Sequence, residues 1–284
     1  MSLVLQSHCK VNLLLNISGK REDGFHELET IIQPVPLFDE LRIELVGKGI
    51  ELTCNDARLS VGEDNLVHRA ASLFLKIIEG DGVRIHLQKN LPLAAGIGAG
   101  SSNAAFTLRG LNELFDTPLN ADEMHELAAC LGSDVPFFLQ DNPAFATGRG
   151  EIVKPLGPIA ALRGRGLLLI HPGFGVSTMW AYQSLAKMPE VYGHEGQGTA
   201  MLQSLEAGEL NGLYNSLETP VFQKHTVLPI LKNFLTENGA LAALMSGSGS
   251  TTFAITENRP TAEALRAKYH EHFGQAGWSA TVAL

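Results

Sequence analysis

Apolar and polar residues alternate along Leu41-Arg-Ile-Glu-Leu-Val46, up to its last residue, and throughout Val83-Arg-Ile-His-Leu-Gln88, the period of a strand with one buried face. Val11-Asn-Leu-Leu-Leu-Asn-Ile17 reads as a strand, and Gly166-Leu-Leu-Leu-Ile170 as a buried strand. Between them the period changes. Leu66, Ala70, Leu73, Phe74, Ile77 and Ile78 share a helical face behind Asp64, a candidate cap, and Gly80-Asp-Gly82 is expected to stop that helix. Ala104, Ala105, Leu108, Leu111 and Phe115 share the face of a second helix. Asn120-Ala-Asp-Glu123 has the form of a capping box and predicts a third helix, ending at Gly132.

Turn-forming residues crowd the segment from Pro143 to Pro158 and mark a domain boundary there, dividing the chain into residues 1–158 and 159–284. Beyond it, helical patterns occupy 178–187, 199–216 and 226–237. Short strands at 241–245 and 251–255 flank a loop, Ser246-Gly-Ser-Gly-Ser250, and a helix at 260–273 and a strand at 278–283 follow. The order matches a βαββαβ sandwich with embellishments, so the expected class is α+β.

The most informative stretch is Pro92-Leu-Ala-Ala-Gly-Ile-Gly-Ala-Gly-Ser-Ser102, which opens directly into the second helix. Alternating Gly96, Gly98 and Gly100 let backbone N–H groups approach an anion, and a helix N-terminus adds unpaired donors and partial positive charge. The Walker A spacing is absent, and Ser101 stands where a dinucleotide fingerprint needs glycine. Taken alone, the stretch fits a phosphate cradle or a glycine-rich turn before an ordinary helix.

Composition narrows the classes. The 284 residues are 45% hydrophobic and 18% charged with net charge −9, and the basic clusters Lys20-Arg21 and Arg163-Gly-Arg165 are too short for a nucleic-acid surface. Cys9, Cys54 and Cys130 are widely spaced and form no Cys-x-x-Cys pair, which argues against a disulfide framework or a zinc site. No apolar run reaches the roughly 18–20 residues that span a bilayer, and no secretory leader is evident. A small-molecule enzyme of the cytoplasm, without nucleic-acid or membrane partners, is the expectation.

Four further segments carry candidate chemistry: Lys10-Val-Asn12, Lys20-Arg-Glu-Asp-Gly-Phe-His26, Leu131-Gly-Ser-Asp-Val-Pro-Phe137 and Ser246-Gly-Ser-Gly249. Read singly, Lys10 fits a solvated charge as well as a catalytic one, Asp134 fits a turn, and Phe25 fits core packing. Together with the glycine loop they resemble the GHMP small-molecule kinases, which include galactokinase, homoserine kinase and mevalonate kinase. Within these the chain looks most like the 4-diphosphocytidyl-2-C-methyl-D-erythritol kinase family, along its whole length. The most specific pieces are the Asp-Gly-aromatic-His and Gly-x-Asp-Val-Pro segments.

The resemblance implies an N-terminal ATP-binding domain and a ferredoxin-like C-terminal domain that completes the substrate site. It implies transfer of the γ-phosphate of ATP, with Mg²⁺, to a hydroxyl of a cytidine diphosphate ester in the non-mevalonate isoprenoid route. Asp134 matches the general base and Lys10 the catalytic lysine, a cation that would keep Asp134 ionised and stabilise the transferring group. Pro92, Leu93, Ala94, Ala95, Gly96, Ile97, Gly98, Ala99, Gly100, Ser101 and Ser102 match the ATP loop. His26 matches the residue that reads the cytosine edge, Phe25 and Tyr182 the aromatics on its faces, and Asn12 and Thr178 further substrate contacts. No carboxylate ligand for magnesium can be named.

The chain departs from the family in two ways. Phe25 replaces the usual tyrosine, and Ala94, Ala95 and Ala99 replace loop glycines. A kinase for an unlinked alcohol such as mevalonate or homoserine is the competing expectation, and the base-reading Phe25-His26 pair argues against it. Retention of Lys10 and Asp134 argues against a regulator that has lost catalysis.

Overall fold

The computed structural model describes residues 2–80 and 82–284, so Asp81 of the expected helix stop lies outside the described residues. Its elements in chain order are β1 (Ser2–Lys20), β2 (His26–Val46), β3 (Ile50–Cys54), α1 (Leu66–Ile78), β4 (Gly82–Gln88), α2 (Ala99–Leu114), α3 (Ala121–Leu131), β5 (Ala144–Thr147), β6 (Ile152–Pro155), β7 (Gly166–His171), α4 (Thr178–Leu185), α5 (Gln197–Glu206), β8 (Tyr214–Asn215), α6 (Glu218–Lys224), α7 (Val227–Glu237), β9 (Ala242–Met245), β10 (Thr252–Thr256), α8 (Arg259–Phe273) and β11 (Trp278–Ala283). The chain forms two compact units that interleave in sequence. The first holds Met1–Cys9, Pro36–Leu91 and Gly98–Asp141, and the second Lys10–Val35, Pro92–Ile97 and Asn142–Leu284.

In the first unit, β4 pairs antiparallel with β2, from Glu40 opposite Gln88 to Val46 opposite Gly82, and parallel with β3. The alternation seen in sequence sends Leu41, Ile43, Ile85 and Leu87 into the core, where all are fully or almost fully buried. Each such side chain contributes about 1.5–3 kcal/mol by leaving water. Strand propensities span only about 1 kcal/mol, so the burial pattern sets the register. Helices α1, α2 and α3 pack on one another beside this sheet. Helix α2 lies so close that a Cβ at Gly110 would sit 2.6 Å from Leu5 Cδ1 and 2.8 Å from Ile43 Cδ1.

The second unit holds a four-stranded antiparallel sheet ordered β11-β7-β10-β9, with β7-α7-β9-β10-α8-β11 supplying the βαββαβ pattern. All six residues of β7 are buried, which is why Leu167 to Ile170 read as an unbroken apolar run. Leu231 and Leu235 of α7 and Ala262, Leu265 and Tyr269 of α8 cover Leu168, Ile170 and Ala254. A second cluster joins Leu15, Ile17 and Leu28 to Ala181, Leu185, Leu217, Val221 and Met245.

The capping box of α3 holds, and other expected caps and bounds shift. Asn120 and Glu123 form the capping box reciprocally, and α3 ends at Leu131 with Gly132 as its cap. The cap of α1 is Asn65, whose side chain accepts from the Val67 N–H, whereas Asp64 accepts from the Ser60 hydroxyl. That helix stops one residue before Gly80, because Glu79 itself takes the left-handed conformation at φ 50°. The helix expected over 199–216 ends at Glu206. Gly208 and Gly212, both at positive φ, turn the chain so that Tyr214 and Asn215 pair with Leu14 and Leu15. The Pro143–Pro158 segment contains β5 and β6, with β5 pairing onto Thr30, Ile31 and Ile32 of β2.

Ala94 adopts φ 50°, a conformation that costs a residue with a Cβ. Its methyl is exposed, so its loss leaves no buried void. Ala94→Gly is therefore expected to stabilise the fold by about 1 kcal/mol, read as a raised Tm. A lowered Tm would mean that the alanine's smaller unfolded-state freedom outweighs the strain.

Candidate active site

The glycine stretch is partly helix. Gly98, at φ 69°, is the N-cap of α2, and Ala99, Gly100, Ser101 and Ser102 form its first turn. The expected loop is thus shorter by four residues. The Ser102 N–H donates to the Gly98 carbonyl at 2.9 Å, closing the first helical bond. The Ser102 hydroxyl is fully buried and has no hydrogen-bond partner among the described residues. A buried hydroxyl on the first turn of a helix, beside amides with no intrahelical acceptor, suits a phosphate oxygen. Ser102 and the turn belong to the first unit.

The preceding residues, Pro92–Ile97, belong to the second unit and are fixed there. A Cβ at Gly96 would sit 2.3 Å from the Ser246 carbonyl oxygen and 2.8 Å from Gly249 N. Glycine is required at 96 by the close approach of the Ser246–Ser250 loop. Ser246 Oγ donates to the Gly96 carbonyl at 3.0 Å, and Thr251 N–H to the Ala95 carbonyl at 3.1 Å. The Lys10 N–H donates to the Ile97 carbonyl at 3.0 Å, which ties β1 to the residue immediately before the α2 cap.

Lys10 is buried in β1, and its Nζ donates to Asn12 Oδ1. Asn12 Nδ2 donates to Thr30 Oγ1 at 2.8 Å, and Thr30 donates to the Leu14 carbonyl at 2.6 Å. This chain of donors fixes the Asn12 amide with its oxygen toward the lysine. Asp134 lies half-buried in the first unit, in the turn between α3 and the 3-10 helix Pro136–Leu139.

The expected base-reading residues all fall in the second unit. His26 opens β2 and is buried, with its ring 5.1 Å from that of Tyr182 and 6.2 Å from that of Tyr192. Burial, with the Lys20 ammonium adding to it, lowers its pKa, so the imidazole is neutral at pH 7 and keeps one donor and one acceptor. Its Nε2 is buried without a partner among the described residues. Such an atom costs free energy unless a ligand satisfies it. Phe25 is 50% exposed, which rules out the core-packing reading, and the Arg149 guanidinium stands 4.6 Å over its ring. Thr178 begins α4, with its hydroxyl 2.9 Å from that of Ser248, and Tyr182 follows one turn later.

Sequence reasoning passed over three residues here. Arg149 sits between Gly148 and Gly150, both at positive φ, in a segment that reads only as a turn. Tyr192 lies on a short segment with no periodicity. Glu29 holds that segment: its carboxylate accepts from Gly196 N at 3.2 Å and Gly198 N at 2.9 Å, at the start of α5. Asn16 Nδ2 joins Glu29 to the His194 carbonyl at 2.8 Å.

Comparison with known proteins places the chain in a family. The profile described as "GHMP kinases N terminal domain" matches residues 65–148, and "GHMP kinases C terminal" matches 199–275. The 4-diphosphocytidyl-2-C-methyl-D-erythritol kinase of Syntrophus aciditrophicus is 41% identical over 264 residues, 92% of each chain. The enzyme of that name from a Synechococcus species is 38% identical over 98% of this chain and 92% of its own. A crystal structure of 4-(cytidine 5'-diphospho)-2C-methyl-D-erythritol kinase superposes with TM-score 0.81 at 36% identity, covering 99% of this chain and 100% of that one. Homoserine kinase from Cytophaga hutchinsonii, at 20% identity and TM-score 0.71, shares the fold. The chain belongs to the 4-diphosphocytidyl-2-C-methyl-D-erythritol kinase family of the GHMP kinases.

Proposed function

We propose that the protein transfers the γ-phosphoryl group of ATP to a hydroxyl of 4-diphosphocytidyl-2-C-methyl-D-erythritol, in the cytoplasm, as a step of the non-mevalonate isoprenoid route. The observation that carries the substrate is His26, a buried neutral imidazole with an unpartnered Nε2, its ring 5.1 Å from that of Tyr182, and preceded in the chain by the exposed Phe25. A cytosine edge needs one donor and one acceptor, and its faces need rings. An alcohol without a base would use none of these. Asn12 and Thr178 are assigned to the rest of this substrate, and residues 92–102 to the phosphates of ATP. Residues 1–158 are assigned ATP binding, and residues 159–284 completion of the substrate site.

Phosphoryl transfer asks the protein for position and charge. The substrate oxygen attacks phosphorus, its proton passes to the Asp134 carboxylate, and the bond to ADP breaks. Lys10, held by Asn12, supplies positive charge to the transferring group. Mg²⁺ is assigned to the ATP phosphates and water, with the Ser102 hydroxyl, unpartnered among the described residues, placed to meet either. Mg²⁺ there would neutralise phosphate charge. Assays of phosphate transfer to the cytidine-linked ester and to unlinked mevalonate and homoserine test the reading. Turnover of an unlinked alcohol and not of the ester would overturn it.

The base site makes its own prediction. Phe25→Tyr keeps the ring face and is expected to be nearly neutral. Phe25→Ala is expected to weaken binding of the cytidine ester by about 1–3 kcal/mol, the range of base–aromatic stacking. His26→Ala is expected to relax discrimination between cytidine and uridine esters, since an unsatisfied polar edge is what rejects the wrong base. Titration of both esters checks all three variants, and parental affinity in Phe25→Ala would remove Phe25 from the pocket.

A further inference from the structure

Asp39, in β2, carries no motif and lies fully buried in the first unit. Its Oδ1 accepts the N–H groups of Asn90 at 2.8 Å and Leu91 at 2.9 Å, the two residues that lead into the glycine stretch. Its Oδ2 accepts from Asn103 Nδ2 at 3.0 Å, on the residue that follows Ser102. The same oxygen pairs with Lys89 Nζ, which also donates to Asn103 Oδ1 at 3.3 Å. Asn103 Nδ2 reaches Ser7 Oγ at 2.8 Å, and that hydroxyl donates to the Asp39 carbonyl at 3.4 Å.

One carboxylate thus grips the chain on both sides of residues 92–102. A buried ion pair is weak as a source of stability, because an apolar replacement of similar volume often does as well. What this pair supplies is geometry. Only a carboxylate offers acceptors on both atoms, and here four donors converge on it from the entry and the exit of one segment. Helix α2 is thereby locked in register with Asn90 and Leu91. The helix carries Gly98, Ser101 and Ser102 on its first turns.

We propose that Asp39 is a positioning residue for ATP, acting through the Asn90–Leu91 amides and Asn103 and touching no substrate itself. The proposal rests on the reading that residues 92–102 hold the phosphates of ATP. Asp39→Asn is nearly isosteric but must turn an NH₂ group toward donors at one end of the grip, so it breaks one half and spares the other. Asn103→Ala removes the exit bond without stranding a charge, and keeps the test alive should Asp39→Asn fail to fold.

The test is titration of parent and variants with a non-hydrolysable ATP analogue and, separately, with the cytidine ester, alongside thermal unfolding. Both variants are expected to weaken analogue binding by about tenfold or more, as misplacement of a positioning group does, with the ester constant within about twofold of the parent. A lower Tm with both constants unchanged would make Asp39 a core ion pair only and overturn the proposal, as would an equal loss of both ligands. A parent that binds no analogue would instead overturn the reading of residues 92–102.

Discussion

An Asp134→Asn enzyme is expected to fold, to bind ATP and the cytidine ester as the parent does, and to transfer phosphate about 10²–10⁴-fold more slowly, the usual contribution of a general base. The amide keeps the size and shape of the carboxylate but cannot take up the hydroxyl proton. The turn around it is held by backbone bonds, from Val135 N–H to the Gly132 carbonyl and from Phe138 N–H to the Val135 carbonyl, both at 3.1 Å. Those bonds do not use the carboxylate, and thermal unfolding run alongside separates a loss of rate from a loss of structure. Single-turnover measurement at saturating substrates isolates the chemical step from binding. Near-parental turnover with an unchanged Tm would reduce Asp134 to a turn residue.

What the sequence makes legible depends on how far apart the interacting residues lie. The Asn120–Glu123 capping box closes over three residues and is visible as a pattern. The apolar run of β7 announces a strand covered on both faces. His26, Phe25, Thr178 and Tyr182 were legible only through motif resemblance, since no periodicity joins residue 26 to residue 182. The first half of β2 went unread in the sequence, and Pro34 and Pro36, a residue type that strand interiors seldom hold, lie within it. Asp39 was invisible altogether, because its side-chain partners lie 50 to 64 residues away along the chain. The glycines of the loop divide by cause in a way that sequence alone blurs. Gly96 answers both to the Ser246–Ser250 loop packed against it and to its own φ of 76°, whereas Gly98 answers to its own φ of 69°.

That division sets the second large effect. Gly98→Val is expected to weaken ATP binding by about 10²-fold, the scale of a misplaced positioning element, while binding of the cytidine ester stays close to that of the parent. Valine at φ 69° is disfavoured twice, by its Cβ in the left-handed region and by its branching. Left-handed backbone alone costs roughly 1–2 kcal/mol, a tenfold effect or somewhat more. The rest is expected from rotation of Gly98 away from this conformation, which breaks the Ser102–Gly98 bond and re-aims the first turn of α2. Phe25, His26 and Tyr182 belong to the second unit and Gly98 to the first, so the base site retains its own supports. Gly98→Ala, which adds the Cβ without the branch, is expected to fall between parent and valine. Separate titrations with an ATP analogue and the cytidine ester decide the matter. Equal loss of both ligands would mean that valine unfolds the chain generally, and parental ATP affinity would remove the α2 cap from the phosphate site.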